Sequence, residues 1–212
     1  MTAEKEKIKV KNGLGVSQFY NKRFKELSFE AEWFEFVGNP ENNACWFVWG
    51  NSGNGKTSFA CQLAKYLSKF GRVLYNSMEE GYSVSLKNAF QNAEISENDN
   101  ITVLSKESIS DLKERLRKPK SPKFVIIDSF QYSGLTALTY KALRNEFETH
   151  SFIFISHADG KNPSGRSART AHYDADIKVW IEGFRAIAKS RYGGGKFFEI
   201  YKEGAEKYWI TE

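Results

Sequence analysis

Eight consecutive residues carry the plainest chemistry in this chain: Gly50, Asn51, Ser52, Gly53, Asn54, Gly55, Lys56 and Thr57. Two glycines separated by four residues and followed by Lys-Thr make a phosphate-binding loop. Glycine permits positive φ and lets backbone amides approach an anion closely. The helix that such a loop opens adds partial positive charge. In this chemistry the segment from Gly50 to Ser58 wraps the phosphates of ATP. Lys56 reaches the β- and γ-phosphates, and the Thr57 hydroxyl ligates Mg²⁺. The plainer alternative, a glycine-rich turn that binds nothing, fits the flanks poorly. Residues 44–49 are an apolar run of strand length, and Phe59, Leu63, Ala64 and Leu67 recur at helical spacing.

A second set of candidates lies where other apolar runs stop. Residues 124–127 are continuously apolar and end in Asp128, where an acid would hold the Mg²⁺ shell near Thr57. Glu79 and Glu80 follow the strand-like run 72–77. One of them is expected to position or activate a hydrolytic water. The sequence does not choose between them; Glu79 is preferred, with Glu80 in support. His157 follows the run 151–155 and is a candidate sensor of the nucleotide at the same edge, a structural histidine being the alternative.

These groups must be positioned by strands and helices, and the chain alternates them. Strand-like runs at 44–49, 72–77, 101–104, 123–128 and 151–155 are separated by helical patterns at 58–70, 82–93, 108–118 and 136–149. Alternation of this kind predicts an α/β fold with a parallel sheet covered on both faces. Beyond 177, short strand-like pieces separated by glycines predict an antiparallel extension, with 208–210 as its last strand. Ser28 is expected to cap a helix that stops at Gly38. Residues 1–27 form a basic arm, leaving 28–212 as one domain. The segment 160–172 is polar and glycine-containing and is expected to be a loop.

Composition narrows the class. No apolar run approaches the roughly 18 residues of a membrane span, and residues 1–10 lack the apolar core of a signal peptide. The two cysteines, Cys45 and Cys61, are expected to be buried thiols. A cytoplasmic protein without membrane partners is the expectation. The net charge of +5 mildly favours a polyanionic partner.

The chain resembles the RecA-like ATPases over roughly residues 44–201, nearest to the RadA-type, KaiC-type and replicative hexameric helicase branches. The residues 50–57 and 124–128 match the Walker A and B motifs. Ser77-Met78-Glu79-Glu80 resembles the glutamate motif, and Ile155-Ser156-His157 the sensor after the fifth strand. The resemblance implies a Mg²⁺-dependent ATPase working as a homo-oligomer, a hexameric ring among the arrangements open to it. It also implies single-stranded DNA contact by Lys161, Arg166 and Arg169, and completion of a neighbour's site by Lys189 and Arg191. The alternation Lys189-Ser190-Arg191 is expected to put both cations on one face of a strand. The chain has no counterpart to the zinc-binding, protease-like or primase-binding domains of these families. Two other functions stay open: a KaiC-like signalling or scaffold ATPase with a protein partner, and a small-molecule kinase.

Overall fold

The computed structural model describes residues 13–210. The lysines at 5, 7, 9 and 11 of the expected basic arm lie outside them. A short helix α1 (Val16–Tyr20) follows Gly15 and leaves Leu14, Val16, Phe19, Tyr20 and Phe24 exposed. The chain joins the body slightly earlier than expected. Asn42 donates its amide to the Lys25 carbonyl, Leu27 donates to Pro40, and the Leu27 side chain is buried. Helix α2 (Ala31–Val37) starts after Glu30 with no side-chain cap, so Ser28 is not its N-cap. Asn39 instead fixes this entry, its side chain accepting from the Phe29 amide at 3.0 Å.

The alternating elements follow: β1 (Trp46–Gly50), α3 (Lys56–Ser68), β2 (Val73–Ser77), α4 (Val84–Asn92), β3 (Ile101–Ser105), α5 (Ile109–Arg117), β4 (Phe124–Asp128), α6 (Ala137–Glu146) and β5 (Ser151–Asp159). The C-terminal part contains β6 (Asn162–Pro163), α7 (Arg166–Asp174), β7 (Ile177–Glu182), β8 (Arg185–Ser190), β9 (Phe198–Glu199) and α8 (Lys202–Ile210). The strand order is β3-β2-β4-β5-β1-β7-β8-β9, with β6 paired to β5. From β3 to β7 every pairing is parallel; β8 and β9 are antiparallel additions. The mostly parallel α/β sheet with its antiparallel extension is therefore as the sequence predicts.

Alternate residues of the central strands feed two cores. Trp46, Val48, Ile126, Ile153 and Ile155 pack with α2, α3 and α4 on one face. Phe47, Val125, Ile127, Phe152 and Phe154 pack with α5, α6 and α7 on the other. Burial on both faces explains why these strands are uninterrupted apolar runs. Cys45 and Cys61 are buried free thiols, one in each core. Among the described residues, no helix is long and apolar enough to cross a membrane.

Three further local expectations fail. The segment 160–172 is not a loop: β5 and β6 close a hairpin, and α7 begins at Arg166. Its small residues Ala168, Ala171 and Ala175 recur at helical spacing and pack into the second core. Residues 208–210 belong to α8 rather than to a strand. Buried Ala205 and the Trp209 indole, which donates to the Gly183 carbonyl at 3.1 Å, seat that helix. Arg191 lies beyond the end of β8, so Lys189 and Arg191 do not share one strand face.

Candidate active site

Parallel pairing brings the C-terminal ends of β1, β2, β4 and β5 to one edge, where loops can converge on a ligand. The register aligns Ser77 with Asp128, Asp128 with Ile155, and Gly50 with His157. Between these ends lies a cavity of about 490 Å³ lined by the phosphate loop, Glu79, Glu80, Asp128, His157 and Phe184.

The loop is held from behind. A Cβ at Gly50 would lie 2.3 Å from the Ile181 carbonyl oxygen, so the residue leaving β1 has to be glycine. Gly55 takes φ 97° and opens α3, whose first-turn amides have no intrahelical partner. The Asn54 side chain accepts from the Gly183 amide at 2.7 Å and donates to Ser52 O at 3.1 Å, tying the loop to the β7–β8 turn. Lys56 Nζ donates to Asn51 O at 2.9 Å. Burial lowers the Lys56 pKa, against the raising charges of Asp128 and Glu79.

The acids are differently placed. Tyr75 donates its hydroxyl to Asp128 Oδ2 at 2.6 Å. Burial pushes the Asp128 carboxyl up to about 6; the Tyr75 hydrogen bond and Lys56 oppose the shift, and the charges of Glu79 and Glu80 add to it. Glu79 Oε2 lies 2.8 Å from His157 Nε2 and accepts from Ser129 Oγ at 3.2 Å. Glu80 instead accepts from Ser83 Oγ at 2.7 Å, and Ser83 caps α4. Both acids line the cavity, but only Glu79 joins the His157 end of β5.

The remaining candidates lie apart from this cavity. Lys161 sits in the β5–β6 hairpin, and its carbonyl accepts from Trp49 Nε1 at 3.1 Å. Arg166 opens α7. Arg169 reaches back to Pro163 O at 3.4 Å and Asp159 at 3.9 Å. Lys189 and Arg191 are at the opposite edge of the sheet. Ser190 pairs with Ile177, which pairs with Trp46 at the start of β1, roughly 13 Å along the strands from Gly50. Arg191 is 65 % exposed and pairs with Asp176 Oδ1 at 2.9 Å.

Sequence reasoning passed over Tyr75, Ser129, Gln131 and Phe184. Phe184 closes the cavity beside Gly55. Ser129 directly follows the acid that ends β4 and Gln131 comes two residues later, and polar residues just beyond that acid were the available signal.

No protein-family model matches the chain, and no curated protein matches it in sequence. The fold is similar to that of a KaiC-like protein from the hyperthermophilic archaeon Pyrococcus horikoshii OT3, with a TM-score of 0.56 and 16 % identity over 82 % of this chain and 94 % of that one. It is also similar to the ATPase domain of G40P, with a TM-score of 0.51 and 18 % identity over 77 % of this chain and 84 % of that domain. At such identities the likeness concerns architecture alone. The chain has a RecA-like P-loop fold.

Proposed function

We propose that this RecA-like chain is a Mg²⁺-dependent ATPase that works as a homo-oligomer on single-stranded DNA. The observation that carries the ATPase reading is the convergence of the phosphate loop, Asp128 and the Glu79–His157 pair on one cavity. The donor set suits a nucleotide triphosphate: loop amides, Lys56 and a helix N-terminus face the space where phosphates would lie. Among the described residues, no three His, Cys, Asp or Glu side chains gather into a metal cage. Thr57 and Asp128 fit an ion that arrives with the substrate phosphates and keeps part of its water shell. Bound there, Mg²⁺ would offset phosphate charge. Glu79, oriented by His157 and Ser129, is the base or water-positioning group, and His157 also senses the nucleotide.

Lys189 and Arg191 act in trans in this proposal. They lie at the far edge from their own phosphate loop, so any nucleotide they serve belongs to a neighbour. The hairpin and the start of α7 contribute Lys161, Arg166 and Arg169 to the phosphate backbone of a strand. The exposed apolar residues of the 14–24 segment suit packing on a second subunit, which supports the oligomer.

The test is ATP hydrolysis by two variants, separately and mixed. Lys56→Ala removes the charge on the β/γ-phosphates and is expected to abolish turnover while the fold survives. Arg191→Ala is expected to lose roughly 10³-fold or more, the scale of a cation inserted at a phosphoryl-transfer site. Mixed oligomers should regain activity, because one subunit supplies an intact loop and its neighbour an intact finger. Normal hydrolysis by Lys56→Ala would sink the nucleotide site. Normal hydrolysis by Arg191→Ala, or full activity in a strict monomer, would sink only the trans arrangement.

A further inference from the structure

The turn after Asp128 touches both the cavity and the hairpin. Residues Phe130–Ser133 form one 3₁₀ turn, anchored by the buried Phe130 ring against Phe47, Phe154 and Tyr140. Just before it, Ser129 holds Glu79. Within it, the Gln131 side chain makes three hydrogen bonds to other parts of the chain. Its Nε2 donates to Ser156 Oγ at 2.8 Å and to Ser164 O at 3.0 Å, and its Oε1 accepts from the His157 amide at 3.1 Å. The orientation of the amide is unambiguous, since the His157 N–H can only donate and the Ser164 carbonyl can only accept.

Gln131 therefore grips both ends of the hairpin from a rigid base. His157 is where β5 leaves the cavity, and Ser164 is where the hairpin returns. These two residues also bond each other, Ser164 N–H to His157 O at 2.9 Å. The His157 ring meanwhile reaches Glu79. The His157 backbone that Gln131 holds also carries the hairpin, so any displacement of that backbone when the Glu79–His157 pair rearranges is passed to the hairpin.

We propose that Gln131 is the positioning residue that couples the Glu79–His157 pair to the hairpin and the start of α7. Its own side chain does not touch Glu79 and acts on it through His157. The direction is reciprocal: a ligand on the hairpin changes the placement of His157, and nucleotide in the cavity changes the hairpin, by the same coupling. This inference rests on the ATPase reading above.

Two substitutions separate the halves of the grip. Gln131→Ala removes all three bonds. Gln131→Glu keeps an acceptor for the His157 amide but sets a carboxylate against the Ser164 carbonyl. The full chain is compared with and without a non-hydrolysable ATP analogue and Mg²⁺, following amide hydrogen exchange in residues 158–165, analogue affinity and kcat. In the wild type, hairpin exchange is expected to slow on adding the analogue. Gln131→Ala should abolish that response and lower kcat roughly 10- to 100-fold, the scale of a slightly misplaced catalytic group. Analogue affinity should change little. Gln131→Glu should lose the hairpin response while keeping kcat nearer to wild type.

A hairpin that still answers the analogue in Gln131→Ala overturns the inference. So does parallel loss of analogue affinity, kcat and melting temperature, which marks a merely structural role. A wild-type hairpin indifferent to bound analogue overturns it too, and leaves the ATPase reading standing. A wild type that fails to bind the analogue sinks that reading before any variant is compared, and the inference with it.

Discussion

Two polar, glycine-containing stretches leave the paired strands β1 and β5 at the same edge of the sheet. Each ends in a glycine of positive φ, Gly55 at 97° and Gly165 at 89°, and each opens a helix. They differ in where their polar groups are turned. The loop after β1 is held by contacts behind it, Asn54 to Gly183 and Gly50 against Ile181, and its face toward the cavity is left to a ligand. The segment after β5 folds onto the protein. Its carbonyls at Lys161, Pro163 and Ser164 accept from Trp49, Arg169 and Gln131. Anions are bound by backbone N–H groups rather than carbonyls, and the Ser164 amide is spent on the His157 carbonyl. An anion would therefore be met by the hairpin's long side chains and the first-turn amides of α7. The first stretch is built for a compact, highly charged ligand at fixed distance. The second suits an extended one, met by long cations.

The sharpest way to break this contrast is at the cavity. Glu79→Gln keeps the size of the side chain and removes the negative charge, so ATP should still bind while kcat falls on the order of 10²-fold or more. Glu80→Gln, whose carboxylate serves Ser83 and the α4 cap, should lose far less. Single-turnover hydrolysis with both variants reads this directly. If Glu80→Gln carries the larger loss, the two acids exchange roles and the His157 contact is structural.

A smaller effect is expected at the hairpin. Replacing Arg166 and Arg169 together by Glu should weaken binding of single strands of any sequence by tenfold or more at low salt, and should flatten the dependence of log affinity on log salt by about two phosphate contacts. Arg169 also reaches Pro163 and Asp159, so Arg166→Glu alone is the cleaner control. Binding measured by fluorescence anisotropy that is unmoved by either change would move the polymer elsewhere or replace it with a protein partner.

The contrast also explains what could be read in the sequence. The phosphate loop is a local pattern, with all its determinants inside nine residues, and strands buried on both faces announce themselves as apolar runs. Asp128 was legible because it ends such a run. The α7 helix was not, because its buried face is made of Ala168, Ala171 and Ala175 among charged neighbours and follows Pro163, Ser164 and Gly165. Aromatic residues at 208–209 suggested a strand by propensity, whereas packing of Ala205 and the Trp209 hydrogen bond hold a helix. The distinction between Glu79 and Glu80 rests on a histidine 78 positions along the chain. Gln131 escaped notice for the same reason: its three partners are set by strand register rather than by local spacing.

The smallest effect expected concerns what the cavity costs when nothing fills it. Asp128 has a carboxyl pKa raised to about 6, chiefly by burial, against about 3.9 in an unfolded chain. Between those values the native state keeps a proton that the unfolded state releases. Stability contributed by this group is therefore full below about pH 4 and lost as pH rises through about 6. Above that range, the ligand-free protein carries a buried negative charge beside Glu79. Asp128→Asn removes the charge and keeps an acceptor for the Tyr75 hydroxyl. In EDTA and without nucleotide, the variant should be more stable than wild type at pH 8 by about 1–2 kcal/mol, the energy of a shift of this size discounted for partial exposure. Near pH 4 the two should converge. Adding Mg²⁺ and ATP should reverse the order, because only the wild type gains full stabilisation from binding. Urea denaturation at the two pH values, with and without ligand, measures all four states. A variant less stable than wild type at pH 8 in EDTA would mean that Asp128 is held by contacts stronger than its burial penalty, and that this acid serves the fold before it serves a ligand.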